Sequence, residues 1–168
     1  MANTYQLIAS NTVSTPVASV TFSSIPATYT DLVLQVSVRS TEADTGTSLR
    51  VYFNSDTGNI SVKELRAIST TVASYTVSYA QAGYIAGANS QANTFGSATI
   101  YIPNYTSSSN KSSLGDIAQV SNTGAENYGV LSARLWSVTD AITSVTVDDA
   151  AANWAQYSSF YLYGIKNS

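Results

Sequence analysis

The chain contains no histidine and no cysteine among its 168 residues, and only 10% of them are charged. The first absence removes the imidazole base and a common metal ligand. The second removes the thiolate nucleophile, soft-metal sites and any disulfide framework. The scarcity of charge, against a usual ~25%, would suit a disordered polar chain. Disordered chains, however, carry few aromatic and β-branched residues, whereas this one is rich in both, with twelve tyrosines. What remains is a folded domain surfaced by Ser, Thr, Asn and Gln. Such a surface has little charge to keep neighbours apart. It suits a protein packed into an assembly, because interface cores are depleted in charge and enriched in Tyr and Trp. The plainer alternative is a soluble domain with a neutral surface.

Also missing is any apolar run near the ~18 residues that a spanning helix needs. Met1-Ala2-Asn3-Thr4-Tyr5 carries neither a basic segment nor an apolar signal core. Synthesis and assembly in the cytoplasm are therefore expected, with no membrane partner. The net charge is −3, and the seven basic residues form no run. Phosphate neutralisation needs clustered Lys and Arg, so no nucleic-acid partner is expected. The length suits one domain, residues 1–168, burying roughly 70% of its unfolded surface.

Alternation with period two runs through most of the sequence. In Asp31–Arg39, Leu32, Leu34, Val36 and Val38 share one face. In Ser48–Asn54, Leu49, Val51 and Phe53 point one way, and Arg50, Tyr52 and Asn54 the other. Further strands are expected at Tyr5–Ala9, Ala18–Phe22, Ser61–Ala67, Ala73–Tyr79 and Ala98–Ile102. Others are expected at Asp116–Val120, Gly129–Trp136, Ser144–Val147 and Ser159–Ile165. Asp44-Thr45-Gly46, Asp56-Thr57-Gly58-Asn59 and Asn122-Thr123-Gly124 read as turns. Ser40–Thr45 or Thr139–Ile142 would make at most one helical turn. Two long loops are expected, about Ala80–Thr94 and Asn104–Ser113. The pattern specifies an all-β fold, an antiparallel β-sandwich of jelly-roll-like type. Leu32, Leu34, Val36, Leu49, Val51 and Phe53 form its expected core.

The acids suggest little chemistry. Ten are scattered along the chain, and a pair at glycosidase spacing of ~5–10 Å would arise by chance. Asp148-Asp149 would contribute to a Ca²⁺ site only with further oxygen ligands in an alternating Asp/Asn/Gly loop, so a solvated turn is the favoured reading. No catalytic residue, metal or cofactor is expected. The sequons at Asn59, Asn104 and Asn110 are expected by chance in so Asn-, Ser- and Thr-rich a chain. Tyr75 and Tyr79 share a strand face with Val77 and read as core. Exposed aromatics on sheets anchor protein interfaces or stack on sugars. The candidates for an interface are Tyr52, Tyr101, Tyr105, Trp154 and Tyr157.

Several phrases carry a family resemblance. Tyr5-Gln6-Leu7-Ile8-Ala9-Ser10, SVTFSSIPATYTDLVLQVSVR from Ser19 to Arg39, ANTFGSATIYIPNYTSSSNKS from Ala92 to Ser112 and QYSSFYLYGI from Gln156 to Ile165 together resemble a family of virion structural proteins of marine and freshwater bacteriophages, notably cyanophages. The resemblance spans nearly the whole chain and brings no catalytic motif with it. It implies a head decoration (cement) protein or the end domain of a fibre. The absence of heptads and of a collagen-like repeat favours decoration. The expected partners are the phage major capsid protein and further copies of the chain, a trimer in preference to a dimer. The expected location is the virion, assembled in the host cytoplasm. The alternative is a receptor-binding tip that holds a host surface glycan.

Overall fold

The computed structural model describes residues 4–77, 79–121 and 126–166. Its twelve strands are β1 (Tyr5–Thr12), β2 (Ser19–Phe22), β3 (Asp31–Val38), β4 (Gly46–Phe53), β5 (Ile60–Ile68), β6 (Thr71–Val77), β7 (Gln81–Ala86), β8 (Gly96–Ile102), β9 (Lys111–Gln119), β10 (Tyr128–Trp136), β11 (Val145–Asp149) and β12 (Ser159–Ile165). They form an eight-stranded sheet, β1-β12-β3-β8-β9-β10-β5-β6, and a four-stranded sheet, β2-β11-β4-β7. Every ladder within them is antiparallel. The order is that of a jelly roll with additions. In connectivity, β2, β11, β4 and β7 form one set and β3, β10, β5 and β6 the other, as in two interleaved Greek keys, and across the sandwich β7 packs on β9 and β10. The β8–β9 pair is inserted between β3 and β10, and β12 and β1 extend the large sheet beyond β3.

The six expected core residues are all at most 4% exposed. The sheets meet through contacts such as the Phe53 ring of β4, edge-on to Trp136 of β10 at 5.8 Å. All but one of the strands fall on runs with period-two alternation. β7 lies instead inside the segment expected as the first long loop. Its sequence, Gln-Ala-Gly-Tyr-Ile-Ala, has small residues where a strand usually shows β-branched ones. The reason is close approach. A Cβ on Gly83 would stand 3.1 Å from the Ile117 side chain of β9. The second expected loop is shortened by β9, which begins at Lys111. Neither Ser40–Thr45 nor Thr139–Ile142 is helical.

Tyr75 and Tyr79 are not core. They are 36% and 45% exposed, because β6 is the edge of the large sheet, beyond the cover of the small one. Asp148-Asp149 is not a solvated turn either. Both residues end β11. Asp148 holds Arg50 through two bonds of 2.7 and 3.0 Å. Asp149 is buried and accepts from the Thr47 hydroxyl at 3.2 Å and the Ala151 N–H at 3.1 Å. The Asp44-Thr45-Gly46 turn is half right, since Asp44 accepts the Thr45 N–H at 2.6 Å but Gly46 already belongs to β4. Asn122-Thr123-Gly124 lies outside the described residues.

The Asp56 turn forms as expected. Its carboxylate accepts the Gly58 N–H at 2.8 Å, the Asn59 side-chain amide at 2.8 Å and the Trp136 indole N–H at 2.8 Å. These donors, with Asn59 first, favour the charged form and lower the Asp56 pKa to about 2. A folded-state pKa below the unfolded one contributes stability above the unfolded value, and that contribution is lost as pH falls through the folded one. Wild-type protein is therefore expected to lose stability between the ordinary Asp value of 3.8 and about 2, and Asp56→Asn to lose less over that window. Urea unfolding at stepped acidic pH measures this, and parallel profiles for the two proteins would refute it.

Candidate interaction face

Three adjacent strands of the large sheet, β9, β10 and β5, turn several polar and charged residues inward. In β10, Tyr128, Val130, Ser132, Arg134 and Trp136 are buried, while Gly129, Leu131, Ala133 and Leu135 face out. In β9, Lys111, Ser113, Gly115, Ile117 and Gln119 are buried, and Leu114, Asp116 and Ala118 are exposed. In β5, Glu64 and Arg66 are buried beside Val62, and Leu65 is outside.

The inward polar groups largely satisfy one another or the small sheet. Glu64 accepts from Arg66 Nε and, at 3.1 Å, from Gln81 Nε2. Gln81 Oε1 in turn accepts from Ser48 Oγ at 3.0 Å and from the Tyr79 hydroxyl at 2.5 Å. Arg66 lies against the rings of Tyr75 and Tyr84, 4.2 and 4.7 Å from their centroids. Arg134 crosses the sandwich, and its Nη2 donates to the Val51 carbonyl at 2.5 Å. Burial lowers the Arg134 pKa to about 10, and the charge of Glu64 opposes that shift. Lys111 donates to the carbonyls of Ser109 at 2.6 Å and Asp140 at 2.8 Å, so it fastens two loops together.

The outer face is the converse. Leu65, Leu114 and Leu131 are each at least half exposed, and Val72 on β6 is 67% exposed. The registers place them together. Leu131 lies opposite Leu65 on one side and Asp116 on the other, and Ala133 lies between Lys63 and Leu114. The patch continues across β8, where Tyr101 opposes Leu114, and on to Tyr163 and Tyr5. The Tyr5 and Tyr163 rings meet edge-on at 6.4 Å. Over the eight strands, the exposed charged side chains of this face are Lys63 on β5 and Asp116 on β9. Isolated exposed apolar residues are ordinary, but a contiguous patch of this kind marks an interaction surface.

Of the five aromatic interface candidates, only Tyr101 belongs to this face, 37% exposed, with its hydroxyl donating to Asp31 at 2.9 Å. Tyr157 is exposed but lies in the turn before β12, with its backbone in the left-handed region at φ 72°. The other three are corrected by burial. Tyr52 points away from the core on β4, yet it is covered beside Arg50 and Asp148, and this burial raises its pKa. Tyr105 is fully buried and donates its hydroxyl to the Pro26 carbonyl. Trp154 is fully buried, edge-on to Phe160 at 5.6 Å.

Most of the acids described above are engaged in structural bonds. Among the described residues, no three acidic side chains converge as a metal site would require. Comparison of the chain with protein-family models, curated proteins and solved structures finds no match.

Proposed function

We propose that this chain is a non-enzymatic structural protein of a bacteriophage virion, a decoration protein that works as a homo-oligomer on the outside of the capsid. The observation that carries the reading is the outer face of β9, β10, β5 and β6. There, leucines stand half exposed on a rigid sheet while charged residues are spent inside the sandwich. Keeping such a surface in water is unfavourable, and burying it against another copy removes it from water. A sheet held by two neighbours on most of its strands presents that surface with little conformational loss on binding. The phage setting comes from the resemblance of the chain's phrases to virion proteins.

The non-enzymatic part rests on residue chemistry. Without His or Cys there is no imidazole base or thiolate nucleophile, and the best-placed carboxylates are already bonded. Asp148 holds Arg50, Glu64 holds Arg66, and Asp56 closes a turn. A decoration protein that binds the assembled shell and not its free subunits stabilises the shell by mass action.

A second reading has its own observation. Tyr5, Tyr101, Tyr161 and Tyr163 gather at the β8–β1 end of the face, with Tyr161 and Tyr163 stacked at 6.4 Å. Tyrosine rings of this kind stack on sugars, so the same face suits a glycan-binding tip.

The test is to add purified protein to undecorated mature heads. Saturable binding at a fixed ratio to the major capsid protein is expected, with a rise in the temperature at which heads release DNA. Binding to host surface polysaccharide with none to heads would give the case to the second reading. A glycan-cleaving turnover abolished by Asp148→Asn would overturn the non-enzymatic reading itself.

A further inference from the structure

The geometry points to a symmetric dimer in which the outer faces of two large sheets pack together about a two-fold axis, each Lys63 meeting the partner's Asp116. This rests on the preceding reading that copies associate through this face, and it specifies how they do so.

The argument starts from register. Lys63 is level with Ala133 and Leu114, and Asp116 is level with Leu131 and Leu65. With β10 between them, the four corners of the patch are Lys63 and Leu65 on β5, and Leu114 and Asp116 on β9. The two charges occupy one diagonal and the two leucines the other. Strands lie ~4.8 Å apart and rise ~3.4 Å per residue, so the Lys63 and Asp116 backbones stand about 12 Å apart. That spacing leaves them as separate, opposite charges on an apolar field. Among the described residues, the hydrogen-bond partner of the Lys63 ammonium is the neutral Thr76 hydroxyl.

An isologous contact needs a self-complementary surface, in which residue i meets j and j meets i. This patch has that property. A two-fold axis lying in the contact plane, across the charged diagonal, places Lys63 over the partner's Asp116 and Asp116 over the partner's Lys63. The same rotation lays leucines over leucines about Leu131. The two sheets then cross steeply, in the orthogonal class of sheet packing. Crossed this steeply about β10, the two faces overlap over about seven residues of strand length in each direction, roughly 24 Å by 24 Å or about 600 Å² per partner, the lower bound for a specific interface. A capsid protein with its own charges has no reason to match one Lys and one Asp at these two corners. A second copy matches them by symmetry.

The experiment uses the full chain and sedimentation velocity over a range of concentrations. Wild type is expected to be a dimer. Lys63→Asp puts two pairs of like charges into the contact, and Asp116→Lys does the same with opposite sign. Each alone is expected to raise the dimer dissociation constant at least about tenfold. The two single variants mixed together should form a heterodimer, because every contact between them is again a pair of opposite charges. The double variant, carrying both changes on one chain, should dimerise like wild type. Both positions are exposed, and a circular dichroism melt confirms that each variant is folded.

Failure of this inference separates from failure of the reading beneath it. If Leu131→Asp yields a monomer but the charge variants neither weaken nor complement one another, the face is an interface without this two-fold pairing. A trimer in solution would overturn the dimer in the same way. If wild type is monomeric, or if Leu131→Asp leaves its assembly unchanged, association through the face is refuted and the dimer falls with it.

Discussion

Replacing Glu64 by Ala is expected to destabilise the fold by about 3–5 kcal/mol, as removal of one partner from a buried ion pair does. Glu64 is 2% exposed and bonds both Arg66 and Gln81. It is also the negative charge acting on Arg134, which is fully enclosed between the sheets and has its Nε and Nη1 without a partner among the described residues. Without Glu64, two guanidinium groups remain inside with no counter-charge, and Gln81 loses its acceptor. The alternative mechanism is loss of packing volume alone. The double variant Glu64→Ala, Arg66→Met distinguishes the two. Removing Arg66 takes away one of the stranded charges, so the pair should cost less than the sum of the single changes. Residues within one ionic network couple by about 0.5–3 kcal/mol. Denaturant unfolding of the four proteins in the cycle measures this, and strict additivity would show that the charges do not interact.

This buried network also explains which parts of the structure were legible from the residues alone. In β3 and β4 the inward residues are Leu, Val and Phe and the outward ones mostly polar, so period two both locates the strand and orients it. In β5, β9 and β10 the period is just as clear, but its sense is reversed over several positions. Leu131, Ala133 and Leu135 alternate with Ser132 and Arg134, and hydrophobicity alone would put the leucines inside. The signal against that orientation is Val130 and the large Trp136, apolar residues that share the parity of Arg134. A strand apolar on both parities indicates that both of its faces are covered. The candidate interaction face is therefore encoded as an excess of apolar residues on β5, β9 and β10, and not as tyrosines.

The misplaced aromatics have a different cause. Tyr105 and Trp154 come from segments outside the strands, where no periodicity distinguishes inside from outside. Their burial is set by tertiary partners, distant Pro26 for Tyr105 and, for Trp154, Val147 and Phe160 on the two different sheets. Asp148 and Asp149 were misread for a related reason. Two adjacent acids suggest solvent until cross-strand Arg50 and Thr47 are seen beside them.

Trp154→Ala is expected to cost about 3–5 kcal/mol while leaving the association of folded chains unchanged. The residue is fully buried. Its ring meets Phe160 of the large sheet, and its indole N–H donates to the Val147 carbonyl of the small one at 3.2 Å. Its backbone bridges to Val17 and Ser40, which ties three segments together around the ring. Truncation to Ala opens a cavity where both sheets meet and removes the indole bond to the Val147 carbonyl. Backbone bridges hold the neighbouring chain in place, so the site has little freedom to collapse, and the cost belongs in the upper range for large-to-small changes. Trp154→Phe keeps most of the ring contact but loses the N–H, and should cost clearly less than Trp154→Ala. An interface anchor would behave in the opposite way. Its truncation would weaken association and barely change the stability of the folded chain. Denaturant unfolding gives the first quantity, and sedimentation below the unfolding transition gives the second. Weakened association with unchanged unfolding would return Trp154 to the surface.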